Sequence, residues 1–192
     1  MINFIGDLSK MDALVIEEMC RPAKRVLEFG VGGSTQIIAT TCPDAEIISV
    51  DTSEVWVERT KQNFKGLGIT KEVTYYNYEE AWKKLEGTFD VIFDDGDDNL
   101  RLDFARMSWK FLKPKGCMLF HDTRRYNDIG TVAQVLKDRV DDIESIDVNY
   151  NRSNITIVHK REAPMPLENW HNIEQKADGM WGGLLLPPLE IQ

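Results

Sequence analysis

The sequence predicts an α/β fold with a doubly wound, seven-stranded sheet, mostly parallel, with an antiparallel pair of strands at one edge. Three observations carry this expectation. Short β-branched runs alternate with longer amphipathic stretches, the rhythm of strand-helix units. An apolar run enters a glycine-rich turn that opens a helix at Phe29-Gly30-Val31-Gly32-Gly33-Ser34. Late in the chain, two more short runs are joined by the turn residues Asn149, Asn151, Arg152 and Ser153, which reads as an antiparallel pair.

Taken in order, residues 8–20 form an amphipathic helix that covers one sheet face or the mouth of the ligand crevice. Strands are expected at Arg25–Phe29, Glu46–Asp51, residues 72–77, Phe89–Asp94 and residues 117–121. Helices fall between them at residues 34–41, 53–64, 79–85 and 99–112. Lys65-Gly66-Leu67-Gly68 stops one helix. Lys113-Pro114-Lys115-Gly116 stops another, with a proline that cannot continue it and a glycine that permits the turn. Residues 127–140 are a further helix, and residues 143–148 and 154–159 are the edge pair.

A chain of 192 residues with 42% hydrophobic content supplies one core, so a single domain over residues 1–162 and a tail over 163–192 are expected. The tail carries Pro164, Pro166, Pro187 and Pro188 with Trp170 and Trp181, which disfavours regular structure; it would pack on its own domain or on a second copy in a homodimer. A formal charge of -9 disfavours nucleic acid, whose binding rests on Lys and Arg displacing counterions. Lys113, Lys115, Arg124 and Arg125 are the local exception, an anion contact or simply a solvated rim. Cys20, Cys42 and Cys117 form neither a CxxC pair nor a zinc-like spacing, which suits the reducing cytoplasm. No charged leader and no apolar run of about 20 residues is present, so neither export nor a membrane is expected. A small-molecule substrate remains.

The turn after the first strand departs from the dinucleotide GxGxxG pattern, because Thr35 stands at the last glycine, and it lacks the GK[ST] of a phosphate-binding loop. A nicotinamide oxidoreductase is thereby disfavoured. Glu28 immediately precedes the turn; a carboxylate there would repel a pyrophosphate and attract an ammonium or sulfonium. Asp51, about twenty residues on at the end of the second strand, suits the two hydroxyls of a ribose. The plainer alternative is an ordinary strand-to-helix turn, with Asp51 capping the next helix. The ordered combination favours a cationic nucleoside.

From Arg25 to Asp122, about half its length, the sequence resembles the class I S-adenosylmethionine-dependent methyltransferases, with their acidic residue followed by Gly-x-Gly and their acidic second-strand end. The resemblance implies a Rossmann-like fold and S-adenosylmethionine as cofactor. Glu28, Gly30, Gly32 and Ser34 would line its methionine part, and Asp51 would hold the ribose. Thr52 and Trp56 would bound the nucleoside, Asn77 or Tyr78 would contact the adenine, and Asp94 would complete the set.

The fourth strand runs into Asp94-Asp95-Gly96-Asp97-Asp98-Asn99 and the fifth ends in Phe120-His121-Asp122. In an open parallel sheet both ends face the crevice of the glycine turn, and converging carboxylates repel one another unless a cation or proton intervenes. Oxygen ligands beside an imidazole suit Mg²⁺ or Mn²⁺. This part resembles the metal-dependent sugar and small-molecule O-methyltransferases, with Asp-Gly-x-His after strand four. By that resemblance Asp95, His121 and Asp122 would be metal ligands. The family's histidine falls on Asp98, so Asp98 or His121 would act as base toward an acceptor hydroxyl. The alternatives are a solvated acidic loop that caps the next helix, and a nucleoside-binding module without turnover. His159 and His171 read as surface positions; Trp82, Trp109, Tyr75 and Tyr76 as core; Tyr126, Trp170 and Trp181 as candidates for the substrate mouth.

Overall fold

In β1 (Arg25–Phe29) every residue after Arg25 is buried, Glu28 included. Burial without alternation means that helices cover both faces of the strand. The computed structural model describes residues 8–165 and shows one sheet in the order β3-β2-β1-β4-β5-β7-β6. β2 (Glu46–Asp51), β3 (Thr74–Asn77), β4 (Phe89–Asp94) and β5 (Leu112–Phe120) run parallel to β1. β7 (Thr156–Lys160) pairs antiparallel with β5, and β6 (Ile143–Asp147) pairs antiparallel with β7 at the edge.

Neighbouring residues on each strand feed opposite layers, as the two-residue period of a strand requires. Val26, Ile47, Val91, Leu119 and Ile157 pack with α1 (Lys10–Cys20), α2 (Gly33–Thr41) and Phe64 of α3 (Glu54–Leu67). Leu27, Ile48, Ile92, Met118 and Val158 pack on the other side with α4 (Tyr78–Lys84), α5 (Arg101–Ser108) and α6 (Tyr126–Asp138). Burying one such aliphatic side chain contributes about 1.5–3 kcal/mol.

Local chemistry sets the ends. Ser9 caps α1 in a reciprocal box with Asp12. α3 ends at Gly68, which takes φ +68 while the Ile69 amide bonds back to Phe64 O at 2.9 Å. Some boundaries differ from the sequence pattern. α5 starts only at Arg101, because Asp97 holds residues 97–101 in a turn of its own: Oδ1 accepts from Asn99 N at 2.9 Å and O from Leu100 N at 2.8 Å; after Ser108 it tightens into a 3₁₀ turn at Trp109–Phe111. β5 begins at Leu112 and absorbs Lys113-Pro114-Lys115-Gly116 as an irregularity, Leu112 facing Phe89 and Cys117 facing Val91, with Lys115 at φ +63. β3 begins at Thr74, the first residue to find a partner on β2. The three cysteines are buried and free. Among the described residues no helix is long and apolar enough to cross a membrane. The tail from residue 166 on, with Trp170, His171 and Trp181, lies outside the described residues.

Candidate active site

β1 and β4 are adjacent, yet the chain leaves β1 toward β2 and β3 and leaves β4 toward β5 on the other side. The loops after the two strands therefore diverge and open a crevice at their carboxyl ends. Glycine permits the loops to touch. Gly30 has φ +94, and a Cβ on it would stand 2.3 Å from the Asp95 carbonyl oxygen; a Cβ on Gly96 would stand 2.4 Å from the Phe29 ring. Asp95 N donates to Phe29 O at 2.8 Å across the same seam.

Above the seam lies a cavity of about 470 Å³, within the usual range for small-molecule sites. One half is lined by Gly30, Gly32, Ser34, Asp51, Thr52 and Trp56. The other is lined by Asp95, Gly96, Asp97, Arg101, Asp122 and Arg125, and Leu8 also lines the cavity. In the first half, Asp51 ties down both flanking loops: Oδ2 accepts from Val31 N and Oδ1 from Ser53 N, each at 2.7 Å. A carboxylate has about four acceptor sites, so two remain for a ligand.

Glu28 lies behind this wall, wholly buried, and its Oε2 accepts from Thr35 Oγ1 at 2.7 Å and Ser49 Oγ at 2.6 Å. Thr35 also accepts from Gly32 N at 2.9 Å, so the residue at the missing glycine position locks the turn to the strand. Burial raises the Glu28 carboxyl from 4.5 to about 7 against the pull of the Ser34, Ser49 and Thr35 hydroxyls.

The second half is a charge network. His121 is buried, with Nδ1 at 2.9 Å from Asp95 Oδ1 and 3.4 Å from Asp122 Oδ1, and Nε2 at 3.5 Å from Asp12 Oδ2. Burial would lower this imidazole, but the surrounding Asp12, Asp95 and Asp122 outweigh it and raise it to about 10. Asp12 is buried too; His121, Ser9 and the Asn154 amide hold it well below the carboxylate range despite desolvation. Asp122 takes φ +59, a left-handed backbone that Asp tolerates better than most residues, and Arg125 N closes the turn onto Asp122 O at 2.7 Å.

Several expected site residues do not line the cavity. Tyr78 is drawn into the core, its ring 5.1 Å from Phe29 and 5.5 Å from Trp82. Asn77 caps α4, accepting from Glu79 N at 3.1 Å, and lines a separate groove of about 350 Å³ with Asp51, Tyr75 and Tyr76. Asp94 is buried with neither oxygen hydrogen-bonded among the described residues, and desolvation holds its carboxyl well above the usual range. His121 is buried and does not line the cavity, with its Nδ1 against Asp95 and Asp122, so its imidazole is not placed to touch an acceptor there. Asp98 sits on the rim, its Oδ1 3.1 Å from Arg125 Nη2. Tyr126 is exposed and outside the cavity. The basic cluster disperses: Lys113 pairs with Asp90 at 2.6 Å, Lys115 with Glu162 at 3.0 Å, and Arg124 donates to Arg152 O at 2.7 Å. Arg101 and Asp12 escaped the sequence pattern. The one available signal for Arg101 was a lone cation closely following an acidic run.

A metal ion meets contrary signals here. The ligand atoms of Asp95, His121 and Asp122 lie within 4.8 Å of one another, a spacing suited to a cation. Yet Arg101 Nη2 is 3.0 Å from Asp95 Oδ1 and 3.6 Å from Asp122 Oδ2. Two like unit charges ~4 Å apart repel by about 4 kcal/mol at an effective dielectric near 20, and a divalent ion doubles that. The spacing fits a metal; the charges do not.

A family model described as a methyltransferase domain matches residues 27–123. Over 118 residues the chain is 28% identical to "Probable thiol methyltransferase 2" of Arabidopsis thaliana, a match covering 58% of this chain and 52% of that protein, so the chain spans about half of its relative's length. Among solved structures, the O-methyltransferase TomG of Streptomyces achromogenes, in complex with S-adenosylmethionine, superposes with a TM-score of 0.65 at 14% identity, covering 81% of this chain and 82% of its own. The Bacillus cereus O-methyltransferase in complex with S-adenosylhomocysteine gives 0.63 at 15% identity, covering 80% and 83%. At such identities the structural likeness speaks for the fold.

Proposed function

This chain belongs to the methyltransferase-domain family, and from that premise we propose that it transfers the methyl group of S-adenosylmethionine to a hydroxyl oxygen of a small molecule. The observation that carries the reading is the single cavity whose halves differ in chemistry: a glycine turn with a ribose-suited carboxylate on one side, a carboxylate wall on the other. S-adenosylmethionine, when bound, supplies an electrophilic methyl on a sulfonium. The residues fit it: the N-terminus of α2 borders the cavity and favours a carboxylate, Asp51 has lone pairs to spare for ribose hydroxyls, and Trp56 offers an apolar wall.

Asp95 is the group we assign to the acceptor. Its Oδ1 is taken by Arg101 and His121, while no hydrogen bond among the described residues reaches Oδ2. An acceptor hydroxyl donating to Oδ2 would be held in place and would pass its proton there as its oxygen bonds the methyl carbon; the carbon-sulfur bond would break with its electron pair going to sulfur, so that S-adenosylhomocysteine would leave as a neutral thioether. His121 acts beneath as a positioning residue. Both guanidinium groups of the wall are engaged by protein carboxylates, so the acceptor is neutral near its reacting oxygen. The likeness to O-methyltransferases supports oxygen; the plant relative's name supports a thiol as a second reading. A divalent ion on Asp95, His121 and Asp122 is an alternative arrangement supported by their spacing.

Calorimetric titration with S-adenosylmethionine and S-adenosylhomocysteine tests the donor half. Binding should be at least tenfold weaker in Asp51→Asn, and a wild type that takes up neither compound ends the proposal. A panel of hydroxyl and thiol acceptors, read by methyl incorporation, then separates oxygen from sulfur.

A further inference from the structure

The carboxylates of the acceptor wall carry their own cation. Arg101, in the first turn of α5, is 7% exposed in its side chain and faces the wall with a planar fork of five donors. Nε donates to Gly96 O at 3.0 Å; Nη1 donates to His121 O at 3.2 Å and Asp128 Oδ1 at 2.9 Å; Nη2 donates to Asp95 Oδ1 at 3.0 Å. Asp122 Oδ2 stands 3.6 Å from Nη2. The guanidinium thus joins the loop after β4, the loop after β5, and α6.

The remaining oxygens of Asp122 and Asp128 are engaged as well. Arg125 Nη2 lies 2.7 Å from Asp122 Oδ2, and its Nε lies 2.7 Å from Asp128 Oδ2. Asn154 Nδ2 donates to Asp122 Oδ1 at 2.9 Å. Converging carboxylates need a positive charge between them. Here that charge is covalently part of the chain: it hydrogen-bonds Asp95 Oδ1 at 3.0 Å and stands 3.6 Å from Asp122 Oδ2.

We infer that Arg101 takes the place of a divalent cation between Asp95 and Asp122, so that the wall is organised by a guanidinium and binds no metal. The consequence for catalysis rests on the proposed methyl transfer; the charge balance stands without it. Unlike a metal with an open position, this guanidinium already makes four hydrogen bonds to protein oxygens and has Asp122 Oδ2 3.6 Å from Nη2, which leaves at most one N–H for an acceptor. Arg101 is therefore a positioning residue: it fixes Asp95 with Oδ1 engaged and Oδ2 turned free for the acceptor.

Mn²⁺ titrated into the full chain and followed by electron paramagnetic resonance tests this without reference to activity. The wild type should leave Mn²⁺ free up to the millimolar range, and its melting temperature should be the same in Mg²⁺ and in a chelator. Arg101→Met removes the charge while keeping an unbranched side chain, and it should create a site for one Mn²⁺ per chain that Mg²⁺ competes for. A wild type that takes up one Mn²⁺ at micromolar concentration, or a folded Arg101→Met chain that takes up none, overturns the inference. If the variant melts below the working temperature, the wild-type titration decides alone. Titration with S-adenosylhomocysteine in the same samples reports on the donor half, so failure of the methyltransferase reading remains distinguishable.

Discussion

Replacing Glu28 by Gln should flatten the pH dependence of stability and make the chain more stable than wild type above neutrality. Glu28 is wholly buried in β1, with Oε2 bonded to two hydroxyls and Oε1 to no group among the described residues. Burial raises its carboxyl from 4.5 to about 7. The folded chain then binds this proton more tightly than the unfolded chain does. The resulting stability is fully present below pH 4.5 and is lost as pH rises through about 7. A tenfold change in proton affinity is worth about 1.4 kcal/mol, so the loss is on the order of 3 kcal/mol. Glutamine keeps an oxygen for Thr35 and Ser49 and carries no charge at any pH. Urea unfolding of both proteins at pH 5 and pH 8.5 measures the effect, since other buried acids such as Asp94 are common to both and cancel. Wild type should lose about 2.5 kcal/mol more than the variant between the two conditions, since part of the loss has already occurred at pH 5, and parallel profiles would refute the reasoning.

Gly30→Ala combines a positive φ, which costs an L-residue about 1–2 kcal/mol, with a Cβ 2.3 Å from the Asp95 carbonyl, an overpacking worth about 1–3 kcal/mol. Denaturant unfolding should show a loss of about 2–5 kcal/mol. With its imidazole raised to about 10, His121 should be doubly protonated at pH 8, as nitrogen NMR would show directly. Asp12→Asn should bring the imidazole titration toward neutral pH while wild type keeps its charge; an unchanged titration would remove Asp12 from the network.

The strands were legible because their apolar residues come in continuous short runs, and β1, β2 and β4 match the expected bounds. The turn at Gly30, the carboxylate at Asp51 and the acidic run at Asp95 could be read for the same reason, since each is fixed within a few residues by a strand end. Side-chain direction was not legible. Asp94 and Asp95 are chain neighbours with opposite fates: Asp95 lines the cavity, and Asp94 is buried with no hydrogen-bond partner among the described residues. Glu28 and Tyr78 likewise flank cavity elements in sequence while facing inward.

The amino-acid order alone determined the layer architecture, the glycine turn and the acidity of the crevice, because these follow from periodic burial and from backbone freedom within short segments. Tertiary structure decided which charges meet. Asp12 reaches Asn154 across 142 residues and Arg101 reaches Asp128 across 27, contacts that exist only after the fold has brought α1 to the loop before β7 and α5 to α6. Charge pairing is set by distance in space, and no pattern along the chain encodes that distance.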